Sequence, residues 1–248
     1  MKNVILLAAA LASLAAGACA QAEESAAATL TGNAALTSDY RYRGISQTRL
    51  QPAVQAGADY VAPSGWYAGA WASSITWTRD AGGAGSIEAD VYGGWRGSLA
   101  HGVNVDAGLL GYLYPSNGLS QVRGWDNANT AEVYAQLGYG IATLKYSHSL
   151  TNLFGVPDSH GSGYLDLNLN FAAGEQTTLN LHAGRQRVRH AAASSYTDWK
   201  AALAHDFGFA TVTLAAVGTN ASRSAYASPA DGQFLGKRAV VLSIGRTF

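Results

Sequence analysis

The chain has 248 residues, 16 basic and 16 acidic side chains, 29 glycines and a charged fraction of only 13%. Charges this balanced give no reason to expect nucleic acid as a partner, and soluble domains usually carry about 25% charged residues, so an ordinary soluble surface is disfavoured. The single cysteine, Cys19, rules out an intrachain disulfide framework.

Met1-Lys2-Asn3 forms a positive start, Val4 to Ala16 is apolar, and Ala18-Cys19-Ala20 precedes the polar Gln21-Ala22-Glu23-Glu24. This reads as a secretory signal peptide over 1–20, with Ala18 and Ala20 as the small residues of the cleavage site. The apolar run falls short of the roughly 20 residues of a spanning helix. A lipoprotein reading of Cys19 is the alternative, although Ala16 stands where such a box usually has a large aliphatic. Cleavage after Ala20 removes Lys2 and no acid, leaving 15 basic against 16 acidic residues, a net charge of −1. Residues 21–29 then form a short periplasmic segment, and 30–248 form one domain.

From Leu30 onward the chain alternates. Leu30, Leu36, Tyr40 and Tyr42 share one parity, with Thr31, Asp39, Arg41 and Arg43 on the other, so a strand is predicted over about 30–43. A tight link at Gly44-Ile45-Ser46 leads to a second strand, 47–60, in which Val54, Ala56 and Ala58 alternate with Arg49, Gln51, Gln55 and Asp59. Further strands follow over 65–77, 86–97, 102–114, 129–139, 142–151, 162–172, 176–187, 195–206, 209–219 and 236–248, each long enough to cross a membrane when tilted. The predicted fold is all-β, a single antiparallel up-and-down transmembrane barrel of about twelve strands. Loop lengths agree. Short links at 61–64, 98–101, 140–141, 173–175 and 207–208 alternate with longer ones at 78–85, 115–128, 152–161, 188–194 and 220–235, as short periplasmic turns alternate with long external loops; only the first link breaks the rule. The last strand carries Val240, Leu242, Ile244 and Phe248 on its apolar positions, the expected signal for the barrel-insertion machinery. Aromatics near strand ends, among them Tyr40, Tyr42, Tyr60, Trp66, Tyr67, Tyr112, Tyr114, Tyr139, Tyr164, Phe207 and Phe209, are expected to form two interfacial girdles.

Leu36-Thr-Ser-Asp-Tyr-Arg-Tyr-Arg-Gly-Ile-Ser-Gln-Thr48, then Pro52 to Tyr60 and Ser64 to Trp71, resemble the opening of the proteobacterial TorF-type porins, also known as Gcw_chp-type conserved hypothetical proteins. Glu88 to Gly94 and Tyr112-Leu-Tyr-Pro115 match in kind and order. The resemblance covers about 36–115, and Asp39, Arg43 and Gly44 fall on the family's S-D-Y-x-x-R-G stretch, while Arg41 and Arg49 match no fixed residue of it. It implies a secreted outer-membrane barrel whose solute is not established.

Strand parity assigns Asp39, Arg41, Arg43, Arg49, Asp59, Glu88, Asp90, Arg96, Asp106, Glu132, Lys145, Asp166 and Lys200 to the pore lining, with Gln51, Gln55, His182 and Asp198 beside them. In an open lumen these mixed charges select small polar solutes. In a closed one they pair as a structural network. Asp39, Arg41, Arg43 and Arg49 flank the tight external turn, where they would attract an anionic solute, pair at the mouth or meet lipopolysaccharide phosphates. An enzyme is the rival class, but His148 lies between Ser147 and Ser149, which point to the opposite face, and no G-x-S-x-G elbow occurs. The six histidines show no H-x-x-x-H pair, so no metal, cofactor or catalytic residue is expected. A third class is a structural or adhesive barrel using Arg123, Trp125, Arg223, Tyr226 and Phe234 in the two longest loops. The leading expectation is a narrow passive channel for small hydrophilic solutes in the cell outer membrane, in contact with outer-membrane lipid and lipopolysaccharide.

Overall fold

A computed structural model of the chain describes residues 27–248. The expected signal peptide and its cleavage residues Ala18 and Ala20 lie outside the described residues, as does most of 21–29.

The described chain holds β1 (Thr29–Thr37), β2 (Arg41–Tyr42), β3 (Ile45–Ser46), β4 (Ala53–Val61), β5 (Trp66–Ser74), β6 (Ile87–Ser98) and β7 (Asn104–Leu113). It continues with β8 (Thr130–Tyr139), β9 (Ala142–Ser149), β10 (Gly163–Ala172), β11 (Thr177–Arg187), β12 (Tyr196–Asp206), β13 (Thr211–Thr219) and β14 (Ala239–Thr247). Every strand except β2 and β3 belongs to one closed barrel, each paired antiparallel with its sequence neighbour. Closure is made by β1, which pairs with β4 on one side and β14 on the other. Phe248 extends that seam, its N–H donating to the Gly32 carbonyl at 2.8 Å and its own carbonyl accepting from Gly32 at 3.2 Å.

The alternation in the sequence becomes two faces. Leu36, Val54, Val91, Leu109, Val133, Leu144, Leu167, Leu181, Leu203, Leu214 and Leu242 are all exposed on the outside. Leaving a large aliphatic in water forfeits about 1.5–3 kcal/mol of burial, and a band of them on every barrel strand but β5 is tolerable only against lipid. Closure also leaves no strand edge whose amides would go unpaired there. The fold is thus an all-β transmembrane barrel, and no helix among the described residues is long and apolar enough to cross a membrane. Short links at 62–65, 99–103, 140–141, 173–176 and 207–210 occupy one end, and long ones the other.

Two expectations are corrected. The first external link is not a tight turn at 44–46: β1 ends at Thr37 and β4 begins at Ala53, so 38–52 is a loop that folds inward, with β2 and β3 as its own small hairpin. The local alternation through Arg43 continues that of β1, but contacts distant in sequence draw the segment off the wall. The girdle assignment also fails in part. Tyr60, Trp66, Tyr139, Phe207, Phe209 and Phe248 are exposed near the short-turn end, as an interfacial belt requires. Tyr40, Tyr112, Tyr114 and Tyr164 are buried in the interior instead, and Tyr42 and Tyr67 pack against the same internal cluster.

Candidate functional site

The inward hairpin pairs Arg41 with Ser46 and Tyr42 with Ile45. Its two central residues, Arg43 and Gly44, have φ of 47° and 78°. Positive φ at both positions makes the two-residue turn that suits the strand twist. Gly44 is required for space as well, because a Cβ there would lie 2.6 Å from Thr219 Cγ2 and 2.7 Å from Asp198 Cβ. The tip therefore crosses the lumen and rests on β12 and the end of β13.

Arg43 fixes the tip. Its Nη2 donates to Glu132 Oε2 on β8 at 2.7 Å and its Nη1 to Gln186 Oε1 on β11 at 2.8 Å. Its guanidinium lies 4.3 Å from the Tyr164 ring centre and 4.8 Å from that of Tyr42. Burial opposes the cation, but Glu132, Tyr42 and Tyr112 together outweigh it and hold the group well above its usual range. Asp39 Oδ2 accepts from Arg41 Nε at 2.6 Å and Asp39 Oδ1 from the Ser46 hydroxyl at 2.6 Å. Arg41 also donates to the Leu235 carbonyl at 2.8 Å, tying the hairpin to the last long loop. Arg49 stays at the rim, 3.6 Å from Asp80 and 4.0 Å from Asp231.

Around the hairpin the long-loop half of the lumen is packed. The Tyr40 hydroxyl donates to Glu88 at 2.7 Å, and Tyr112 donates to Glu132 at 3.2 Å while its hydroxyl sits 2.5 Å from that of Tyr42. Tyr42, Tyr112 and Phe154 meet edge to face, as do Tyr40 and Trp71. Leu119 and Ala128, from the 114–129 loop, are fully buried on this cluster. Trp125, in the same loop, packs on Trp77, and Tyr226 donates to the Ser194 carbonyl at 2.6 Å. Glu88 Oε2, Asp90 Oδ1, Trp71 Nε1 and Trp77 Nε1 are buried here without a hydrogen-bond partner. Asp90 and Trp71 are paired across β5 and β6.

Toward the short-turn end Asp59, Tyr67, Tyr92, Arg96, Asp106 and Lys145 are half-buried, while Tyr134, Asp166 and Asp198 are buried. Asp59 accepts from Tyr92 at 2.6 Å and Asp106 from Tyr67 at 2.5 Å, and the Tyr67 and Tyr134 hydroxyls are bonded to each other. Lys145 Nζ lies 3.9 Å from the centre of the Tyr134 ring, and Arg96 lies 5.5 Å from that of Tyr67. His182 bridges two carboxylates, Nδ1 to Asp166 at 3.0 Å and Nε2 to Asp198 at 2.8 Å. Asp166 Oδ1 also accepts from Asn168 Nδ2 at 2.5 Å. Lys200 is the cross-strand partner of His182 on the same inward face.

The parity argument brings Asp59, Glu88, Asp90, Arg96, Asp106, Glu132, Lys145, Asp166 and Lys200 to one interior, whereas Asp39, Arg41 and Arg43 reach it by the hairpin. Sequence reasoning missed Gln186 and the lumenal tyrosines. Tyr112 shares the parity of Asp106, and Tyr164 that of Asp166, so the same rule applied to aromatics would have found them. His148 lies on the outward parity of β9, while the Ser149 hydroxyl turns inward and donates to the Thr151 carbonyl at 2.5 Å. Among the described residues no group of three or more His, Cys, Asp or Glu side chains is placed to hold a metal ion.

The structure is thus a closed antiparallel barrel with an apolar exterior, a charged interior and an inward loop. The fold resembles the KdgM porin, with a TM-score of 0.56 and 6% identity over 89% of this chain and 98% of that one, including a structure in complex with disordered oligogalacturonate. It also resembles the NanC porin, with a TM-score of 0.53 and 10% identity over 88% of this chain and 98% of that one. At such identities the likeness is one of fold. No curated protein matches the sequence. The chain belongs to the Gcw_chp family, described as a bacterial protein of unknown function, whose model matches residues 21–248.

Proposed function

We propose that this protein is a narrow outer-membrane pore through which small hydrophilic solutes diffuse passively, constricted by the 38–52 hairpin and filtered by mixed lumen charges. The observation that carries the reading is the partition of charge. All the strand carboxylates, Asp59, Glu88, Asp90, Asp106, Glu132, Asp166, Asp198 and Asp206, occupy inward positions, with Arg96, Lys145 and Lys200 among them. A solute in the lumen meets both signs at close range, with Asp59, Arg96 and Asp106 only half-buried toward the short-turn end. The finer resemblance to TorF-type porins fits this reading. In it, 1–20 is removed on export, 21–29 lies in the periplasm, and Val240, Leu242, Ile244 and Phe248 present the insertion signal.

Liposome swelling tests the proposal. Vesicles carrying the barrel should swell in a pentose and more slowly in a trisaccharide. Replacing 39–50 by a short Gly-Ser turn should admit the trisaccharide. One observation favours a second reading, a closed structural barrel: the aromatic cluster of Tyr40, Trp71, Tyr112 and Tyr114 fills the long-loop half. No swelling in any sugar, with or without the hairpin, would establish that reading in place of the pore.

A further inference from the structure

We propose that the outward face of β11 at the long-loop rim binds a phosphorylated glycolipid of the outer leaflet. The inference rests on the barrel crossing a membrane and not on whether its lumen conducts. Along the outward parity of β11 the residues are Leu179, Leu181 and Ala183, followed by Arg185 and Arg187, with Arg189 two residues further on. All three arginines are exposed, and none takes part in an ion pair among the described residues. Since no Asp or Glu of the barrel strands faces outward, the wall supplies no counter-charge. An arginine facing lipid costs about 2–4 kcal/mol at mid-bilayer and about 0–1 kcal/mol near the interface, so this stripe belongs at headgroup depth, where the anions are the lipid's own.

The surroundings are shaped to hold such a group. Gly163 lies between His148 and Arg187 in the β9, β10 and β11 register. A Cβ on Gly163 would fall 2.5 Å from the Tyr146 hydroxyl, and one on Gly161 would fall 3.1 Å from Arg189 Nη1 and 3.8 Å from His148 Cε1. Tyr146, His148 and Arg189 thus lie over a floor of two glycines, with the Tyr146 and His148 rings 6.4 Å apart. The nearby acid, Asp158, meets the His190 ring through its main-chain carbonyl at 2.9 Å, and its carboxylate forms no ion pair with the three arginines among the described residues. The patch is one-sided: the outward residues at the same end of β4 to β8 are Val54, Ser74, Ile87, Leu113 and Ala131, none of them charged. Alternate residues of a strand are spaced by about 6.7 Å, so successive guanidinium forks can grip separate phosphates of one headgroup bidentately, while the aliphatic residues below receive the acyl chains.

The test uses the full barrel refolded into zwitterionic bicelles, with insertion checked by heat-modifiable migration. Bis-phosphorylated lipid A, the same lipid stripped of phosphate, and inorganic phosphate are titrated separately, and bound ligand is read by native mass spectrometry. The expected result is retention of bis-phosphorylated lipid A alone, with affinity reduced by about tenfold or more in R185Q/R187Q/R189Q and unchanged in R246Q, whose arginine faces outward near the opposite rim. If the triple variant does not insert, R187Q alone should show a smaller loss in the same direction. Equal binding by wild type and variants, equal binding of the dephosphorylated lipid, or equal binding of free phosphate would each overturn the assignment. A wild-type barrel that fails to insert would instead count against the membrane reading beneath it.

Discussion

Removing the Arg43 guanidinium would leave the Glu132 carboxylate, whose side chain is only 2% exposed, without its cation inside the barrel. Breaking a buried pair from one side typically costs about 3–5 kcal/mol, and R43A is expected to lose that much in urea unfolding followed by tryptophan fluorescence in lipid vesicles. R43K should recover little, because an ammonium cannot reproduce a fork that reaches Glu132 and Gln186 together. Adding E132Q to R43A should restore part of the loss by neutralising the stranded charge. An R43A barrel as stable as wild type would mean that the hairpin does not dock on β8. G44A probes the same contact by sterics: its methyl would press on Thr219 and Asp198 from a left-handed backbone, so it should displace the tip and widen the lumen.

At the scale of the element, lipid-facing positions should grade with depth. Leu242, exposed on β14 opposite Leu214 of β13, is expected to cost about 2–4 kcal/mol as lysine, whereas Tyr139, at the short-turn end of β8, should cost about 0–1 kcal/mol. Equal penalties at the two positions in vesicle unfolding would contradict the placement of the bilayer. The walls of the barrel were legible because a period of two on a surface wet on one side and apolar on the other needs no knowledge of distant residues; β6, β8 and β10 fall within a residue or two of their predicted ends. The hairpin was not legible. Tyr40 and Tyr42 keep the strand rhythm set by Leu36, and what bends them inward is Tyr40 finding Glu88 and Arg43 finding Glu132, partners far along the chain. The loss of Tyr112, Tyr114 and Tyr164 from the girdle has a related cause: a tyrosine near a strand end suits either an interface or a buried carboxylate, and only its parity decides which.

For the whole molecule, three regions stack along the barrel axis: a packed long-loop half, a strut formed by Arg43 and Gly44, and a half-buried charged vestibule toward the short turns. Because the strut is anchored at β8, β11, β12 and β13 at once, it divides the lumen rather than lining one wall. The central claim, that this barrel is a pore narrowed by its own hairpin, is met most directly by single-channel recording in a planar bilayer. Small, discrete current steps from the wild-type barrel, several-fold larger when 39–50 is replaced by a short turn, are the result predicted. Silence from both proteins, with insertion into the bilayer verified, would contradict it.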